Sequence, residues 1–334
     1  MTKKKRTKMI IELLLIFALC NFIFISNVNN HNSKVESDLT ISEPQRDVND
    51  TFYFEKENTL GSILGLDHNY FSPNDPLIVK PIDLANSNSK EDNKIGLINT
   101  TDFKVDLEAL LNRTFITNQD ITNEPLVLII HTHGTESFVP DNKNYYFTDT
   151  SFNSTDITKN IVAVGDEFCK VLEENGIPFI HEKTMFDENS YRLSYKNSGI
   201  AVSEYLKEYP SIKYVIDMHR DTICDKNNIN QKPLTTINGE KTAQIMFVVG
   251  TNAGGANHPN WKDNLTVVLK YQEIIAQKYP SLARPIYLHT SSFNQFNMPT
   301  MMLLEVGASG NTLDEAKNAA RYSAECFIEL IKTY

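Results

Sequence analysis

The chain has 334 residues, 41% of them hydrophobic and 22% charged, with a net charge of −10 and a pI of about 5.3. That length supports one sizeable domain plus further segments, and the acidic balance excludes the basic face that nucleic-acid binding requires. Cys20, Cys169, Cys224 and Cys326 are far apart and form no C-x-x-C pair, which excludes a disulfide framework and a thiolate-held metal; Cys169 and Cys326 read as small core residues.

Residues 1–28 form a separate unit. Lys3, Lys4, Lys5, Arg6 and Lys8 precede an apolar run over 9–25 broken only by Glu12 and Asn21. This length approaches that of a bilayer core, and the basic flank places the N-terminus in the cytoplasm. We therefore expect a single-pass membrane anchor with the remainder extracytoplasmic. A cleaved signal peptide is the rival reading, but no small-x-small site follows Ile25. In a lipoprotein box ending at Cys20, Leu19 is too large for its position. Residues 29–93, rich in Asn, Ser, Asp and Glu, read as a flexible extracytoplasmic stalk.

Residues 94–334 read as the catalytic domain. A short helix is expected in "VDLEALLNRTF", then a strand at 126–130 and a helix at 158–175 stopped by Asn175-Gly176. Next come a strand at 178–181, a helix at 195–208 stopped by Pro210, and strands at 214–218 and 243–250. A long amphipathic helix over 260–280 precedes strands at 285–290 and 300–307 and a closing helix at 313–331. Strands alternating with helices predict an α/β domain with a mostly parallel, buried sheet flanked by helices. Sites in such sheets form at the carboxyl ends of strands.

Three apolar strands deliver polar groups to that end. "PLVLIIHTHGTESF" ends at His131-Thr132-His133 with Glu136 beyond, "YVIDM" ends at His219-Arg220-Asp221, and "TMMLL" ends at Glu305. Zinc hydrolases use three N/O ligands and leave a position open. His133, Glu136 and His219 suit such a Zn2+ site, and Glu305 suits a group that moves the proton. Each has a plainer reading: a strand-end histidine is often structural, Glu305 could be an ion-pair partner, and Arg220 could pair with Asp221. His131 is the alternative to His133, or a hydrogen-bond partner to a ligand; the x-x-Glu spacing selects His133. His181, His258 and His289 read as structural.

The stretches "VLIIHTHGTESF", "VIDMHRD", "MFVVGTN", "HPNW" and "FNQFNMPTMMLLEVGASGNTLDEA" together resemble the stage II sporulation protein P family of cell-wall hydrolases from endospore-forming bacteria. The resemblance covers residues from about 94 to the end, and the tail and anchor match as well. It implies an amidase_3-like fold and a zinc-dependent N-acetylmuramoyl-L-alanine amidase acting on peptidoglycan during forespore engulfment. It also implies cleavage of peptide cross-links, and partnership with the stage II sporulation proteins D and M. By this likeness His133, Glu136 and His219 hold zinc and Glu305 is catalytic. Arg220 is then a candidate for a stem-peptide carboxylate, and Asn294 and Gln295 for substrate amides. Asn311 reads as the N-cap of the last helix. Competing functions are a carboxypeptidase-like enzyme trimming stem peptides and a wall-binding scaffold without activity.

Overall fold

The apolar runs of the sequence become the inner strands of a mixed sheet. The computed structural model describes residues 75–85, 95–114 and 121–334. The expected anchor and most of the expected stalk lie outside the described residues. Among the described residues no helix is long and apolar enough to cross a membrane.

In chain order the first elements are β1 (Leu77–Ile78), β2 (Lys80–Ile82), β3 (Leu97–Asn99), α1 (Leu107–Leu111), β4 (Val127–Ile130) and β5 (Tyr145–Tyr146). Then come α2 (Ile161–Glu174), β6 (Phe179–His181), α3 (Ser194–Glu208) and β7 (Tyr214–Asp221). The chain continues through β8 (Gln231–Ile237), β9 (Glu240–Ala243), β10 (Ile245–Gly250) and α4 (Trp261–Lys278). It closes with β11 (Ile286–His289), β12 (Met301–Ala308) and α5 (Leu313–Thr333).

The main sheet has the order β3-β11-β10-β12-β7-β4-β6. β6, β4, β7 and β12 run parallel to one another, β10 meets β12 antiparallel, and β10, β11 and β3 run parallel again. The sheet is thus mostly parallel, as expected, with one reversal. β4, β7, β10 and β12 are buried along their whole length, which is why they read as continuous apolar runs rather than alternating ones.

The two faces differ. Val127, Ile129, Ile216, Met218, Met302 and Leu304 pack on α2, α4 and α5 through side chains such as Phe168, Leu269 and Phe327. Burying each of these contributes roughly 1.5–3 kcal/mol. On the opposite face Leu128, Ile130, Val215 and Met301 pack against Val202 of α3. The buried positions of α3 are Ser194, Ser198 and Val202, one stripe at four-residue spacing whose apolar end covers the sheet. Its two serines lie at the start of the helix, beside the strand ends.

Three local findings depart from the sequence expectations. Residues 77–82 pair with the body, β1 with β5 and β2 with β8, and Leu77 and Val79 are buried. Part of the stretch assigned to the stalk therefore packs on the domain, because those apolar side chains find a surface there. β8 and β9 form a hairpin over Asn238-Gly239, both at positive φ, a turn chemistry that matches the strand twist. The last helix is capped by Thr312, not Asn311. Thr312 Oγ1 accepts from the Glu315 N–H, and Glu315 Oε2 accepts from the Thr312 N–H. Asn311 is committed elsewhere: its Oδ1 accepts from the Ala308 N–H and its Nδ2 donates to the Pro233 carbonyl.

Candidate metal centre and active site

β4, β7 and β12 are parallel neighbours, so their carboxyl ends lie together. Glu305 and His219 are register partners, and alternation along β7 puts Asp217 and His219 on the same face. β4 ends at Ile130, and the chain then turns through His133, whose carbonyl accepts from the Glu136 N–H. A second loop clamps this turn. Ser137 N–H donates to Phe152 O, Ser154 N–H to Thr135 O, and Ile161 N–H to Glu136 O.

His133, Glu136 and His219 are all buried, and one ligand atom from each lies within 4.8 Å of the others. His133 Nδ1 is 3.5 Å from Glu136 Oε1, and His219 Nδ1 is 3.6 Å from Glu136 Oε2. The far nitrogens set the tautomers. The Ser194 hydroxyl donates to Tyr191 O, so its oxygen accepts from His133 Nε2–H at 2.9 Å. His219 Nε2 lies 3.1 Å from Asp217 Oδ1, without hydrogen-bond alignment but beside an anion that can only accept. Both histidines therefore turn Nδ1 lone pairs toward a carboxylate. Two lone pairs and an anion facing one another with no donor between them call for a cation, and the donor set of two imidazoles and one carboxylate suits zinc.

The electrostatics express the same demand. A proton can take the cation's part: burial alone would raise Glu136, but with His133 and His219 donating from Nδ1 instead of presenting lone pairs, those hydrogen bonds and the charges of His219 and Arg220 hold it well below the usual carboxylate range. Burial would lower His219, but Asp217 and Glu136 raise it well above its ordinary value. Asp217 is kept below its ordinary value, against burial, by His219 and by the N–H and hydroxyl of Thr132, at 2.8 and 2.6 Å. Glu305 goes the other way. Burial pushes it well above its ordinary value; His219 and Arg284 oppose, while Asp221 and Glu136 add to the rise. Its Oε2 is buried with no partner. Just beyond it β12 bulges, with Gly307 at φ +72°. A Cβ there would come within 2.9 Å of Asn311 Oδ1. The bulge ends regular pairing directly after Glu305.

The structure thus brings together His133, Glu136, His219 and Glu305. It places the other candidates differently. Arg220 is buried, and its guanidinium donates to Ser137 O, Phe152 O and Thr222 Oγ1, while its backbone N–H donates to Glu136 Oε2. It clamps the two site loops and is not available to a substrate carboxylate. Asn294 Nδ2 donates to Tyr195 O at 2.7 Å, holding the first turn of α3. The approach requires Gly199, where a Cβ would lie 2.9 Å from Asn294 Oδ1. Gln295 is fully buried and bonds the backbone of Gly250 and Val248. Gln295 spends both ends of its amide on backbone groups, and the Asn294 amide nitrogen is spent on Tyr195 O and Ser198 Oγ, so both side chains hold the fold. His131 Nδ1 donates to Met218 O and its Nε2 meets His181 Nε2 at 2.8 Å, away from the ligand set.

Four neighbours of the site went unread in the sequence: Asp217, Ser194, Tyr191 and Tyr195. Asp217-x-His219 on a strand was a usable signal; nothing local marks the others. Tyr191 stacks on the His133 ring at 4.3 Å and joins the site to an open cleft of about 570 Å3, also lined by Thr135, Asn153 and Asp187. Tyr195 meets His133 edge-on at 5.4 Å and lies parallel to His219 at 6.3 Å.

The family described as Stage II sporulation protein P (SpoIIP) matches residues 67–328. The chain belongs to that family. It is 30% identical over 223 residues to stage II sporulation protein P of Bacillus subtilis strain 168, across 64% of this chain and 52% of that protein. The match therefore spans about half the length of the curated relative. Among solved structures, the N-acetylmuramoyl-L-alanine amidase of Clostridium difficile 630 aligns with 64% of this chain and 99% of its own, at 13% identity and a TM-score of 0.35. The CwlD amidase of Clostridioides difficile, solved in complex with the GerS lipoprotein, aligns with 63% of this chain and 100% of its own, at 13% identity and a TM-score of 0.37.

Proposed function

We propose that the chain is a zinc-dependent peptidoglycan hydrolase that cuts the amide between muramic acid and the stem peptide. The observation that carries this reading is the convergence of two imidazole lone pairs and one carboxylate beside a buried, unpartnered carboxyl. His133, Glu136 and His219 would hold the metal. When bound, zinc would supply Lewis-acid polarisation of the scissile carbonyl and a lowered pKa for water. Ser194 and Asp217 keep the ligand nitrogens oriented. Glu305 takes a proton from the attacking water and delivers it to the departing amine. Burial suits it to that exchange, because a carboxyl whose pKa is raised holds a proton more readily and can both accept and return it.

Family membership and the basic, apolar N-terminus support placing this activity in sporulation, on a chain anchored in the membrane with its catalytic domain facing the septal wall. We extend the proposal to cleavage of cross-links between stems and to partnership with stage II sporulation proteins D and M. The carboxypeptidase alternative loses support, because Arg220 is committed to loop carbonyls and Arg284 to Asp221 at 2.8 Å. The scaffold alternative leaves the unpartnered Glu305 unexplained. The test is a digest of purified peptidoglycan by the full chain, with and without a chelator, read by mass spectrometry of the released fragments. Chelator-sensitive release of intact stem peptides supports the amidase. Release of terminal amino acids alone, or no release, rejects it.

A further inference from the structure

We propose that Tyr195 is a second catalytic residue, its hydroxyl donating a hydrogen bond to the oxyanion that forms on the scissile carbonyl; this rests on the amidase reading above. Tyr195 stands in the first turn of α3 and is half-buried. Its ring touches both candidate histidine ligands and leans on Phe293 at 5.7 Å. Three contacts therefore fix the ring, and Asn294 fixes its backbone. The hydroxyl lies within electrostatic reach of the carboxylates of Asp217, Glu305 and Glu136, yet among the described residues it makes no hydrogen bond. The other polar groups around the ligands, Ser194, Asp217 and Arg220, are all paired. Among the described residues beside the ligands, Glu305 Oε2 is buried with no partner, and the Tyr195 hydroxyl, near three carboxylates, makes no hydrogen bond.

These two groups are of opposite kinds. A carboxylate accepts a proton, and a phenol at neutral pH offers one. Hydrolysis of an amide needs both. Water oxygen bonds to the carbonyl carbon as its proton passes to Glu305, and the carbonyl π electrons move onto oxygen. The carbon–nitrogen bond then breaks as those electrons return, and nitrogen takes the proton from Glu305. The products are one carboxylic acid and one amine, and Tyr195 keeps its proton throughout. A positioned donor aimed at developing negative charge acts on the transition state and little on the bound substrate.

The test is Tyr195→Phe in the full chain, which removes one oxygen and keeps the ring. Removing such a donor costs roughly 10²-fold in turnover. We expect kcat on soluble muropeptides to fall by about that factor with KM changed less than about twofold. Zinc content and thermal midpoint should match wild type. Affinity for an analogue with tetrahedral phosphorus in place of the scissile carbonyl should fall by a similar factor, measured by calorimetry. Unchanged kcat, an unchanged analogue affinity, or loss of zinc in the variant would each overturn the assignment, the last by making Tyr195 a positioning residue. Wild type runs alongside: if it releases no stem peptide with zinc present, the amidase reading fails first, whereas a wild type that cleaves beside an equally active variant rejects the tyrosine alone.

Discussion

His131 and His133 are two residues apart and meet opposite fates. His133 turns a lone pair toward Glu136 and shares the α3 face with His219. His131 faces the other way, donating to Met218 O and packing against His181 beneath α2. On a continuing strand the two would share a face, but β4 ends at Ile130 and the turn that follows separates them. Their surroundings then decide their chemistry. Beside carboxylates, His219 is raised well above its ordinary pKa, although burial opposes. Sealed away from solvent, His131 is pushed down to about 3, chiefly by burial and then by His181. An imidazole becomes a ligand candidate through what faces its lone pair, not through its place in a motif.

The largest test of this contrast compares the two clusters directly. His219→Ala removes one of three proposed ligands and should abolish stoichiometric zinc and wall cleavage, read by metal analysis and fragment release. His131→Gln should keep one zinc per chain. If His131→Gln loses its metal while folded and His219→Ala keeps it, the clusters have been assigned the wrong way round.

Next in size is Glu305→Gln. It keeps shape and removes the proton acceptor, so turnover should fall by roughly 10²–10⁴-fold with zinc retained. Loss of zinc would make Glu305 a ligand and reopen Glu136. Asp217→Asn is milder. It weakens the partner of His219 Nε2 without touching a ligand, and zinc affinity should drop by roughly 10–100-fold in a competition titration against a chelator. An unchanged affinity would mean that the strand alone orients His219.

On the other face the effect should be on folding alone. α2 passes the histidine pair at Gly165, where a Cβ would lie 2.7 Å from the Nε2 of both His131 and His181. Gly165→Ala should lower stability by roughly 1–3 kcal/mol through overpacking, in denaturant melts, and leave zinc content at one per chain. A loss of zinc at equal foldedness would couple the two faces.

Most of the strand and helix order was legible because buried parallel strands are unbroken apolar runs and the helices carry one-sided patterns. The candidate trio was legible as a cluster because the apolar runs of β4 and β7 give way abruptly to polar groups. What stayed hidden was the role of side chains whose partners are distant in sequence. Arg220 looked like a substrate group, yet it closes on Ser137 and Phe152 across the loop. Asn294 and Gln295 looked like amide binders, yet they hold α3 and β10. Ser194 orients His133 from a helix start 61 residues away, and no local pattern announces such a pairing. Asn238-Gly239 is different, since its turn chemistry marks that hairpin within the sequence itself.

The smallest expected effect sharpens the comparison at its titrating edge. Burial pushes His181 down to about 4, although Asp166, 3.1 Å away, pulls it up. In the unfolded chain the same imidazole titrates near 6.5. Above that pH both states are neutral at this site and it does not influence stability. Between about 6.5 and 4 the unfolded state binds the proton and the folded state does not, so folding stability should fall as the solution is acidified. The slope from this group is at most about 1.4 kcal/mol per pH unit. His181→Gln removes the titration, so its stability should fall less steeply between pH 6.5 and 4.5 than that of wild type, in melts followed by circular dichroism. The comparison is of slopes, since the substitution also alters the hydrogen bond to His131 and shifts the baseline. Equal slopes would mean that His181 already carries a proton in the folded state, paired with Asp166, and the sealed face would then resemble the charged one.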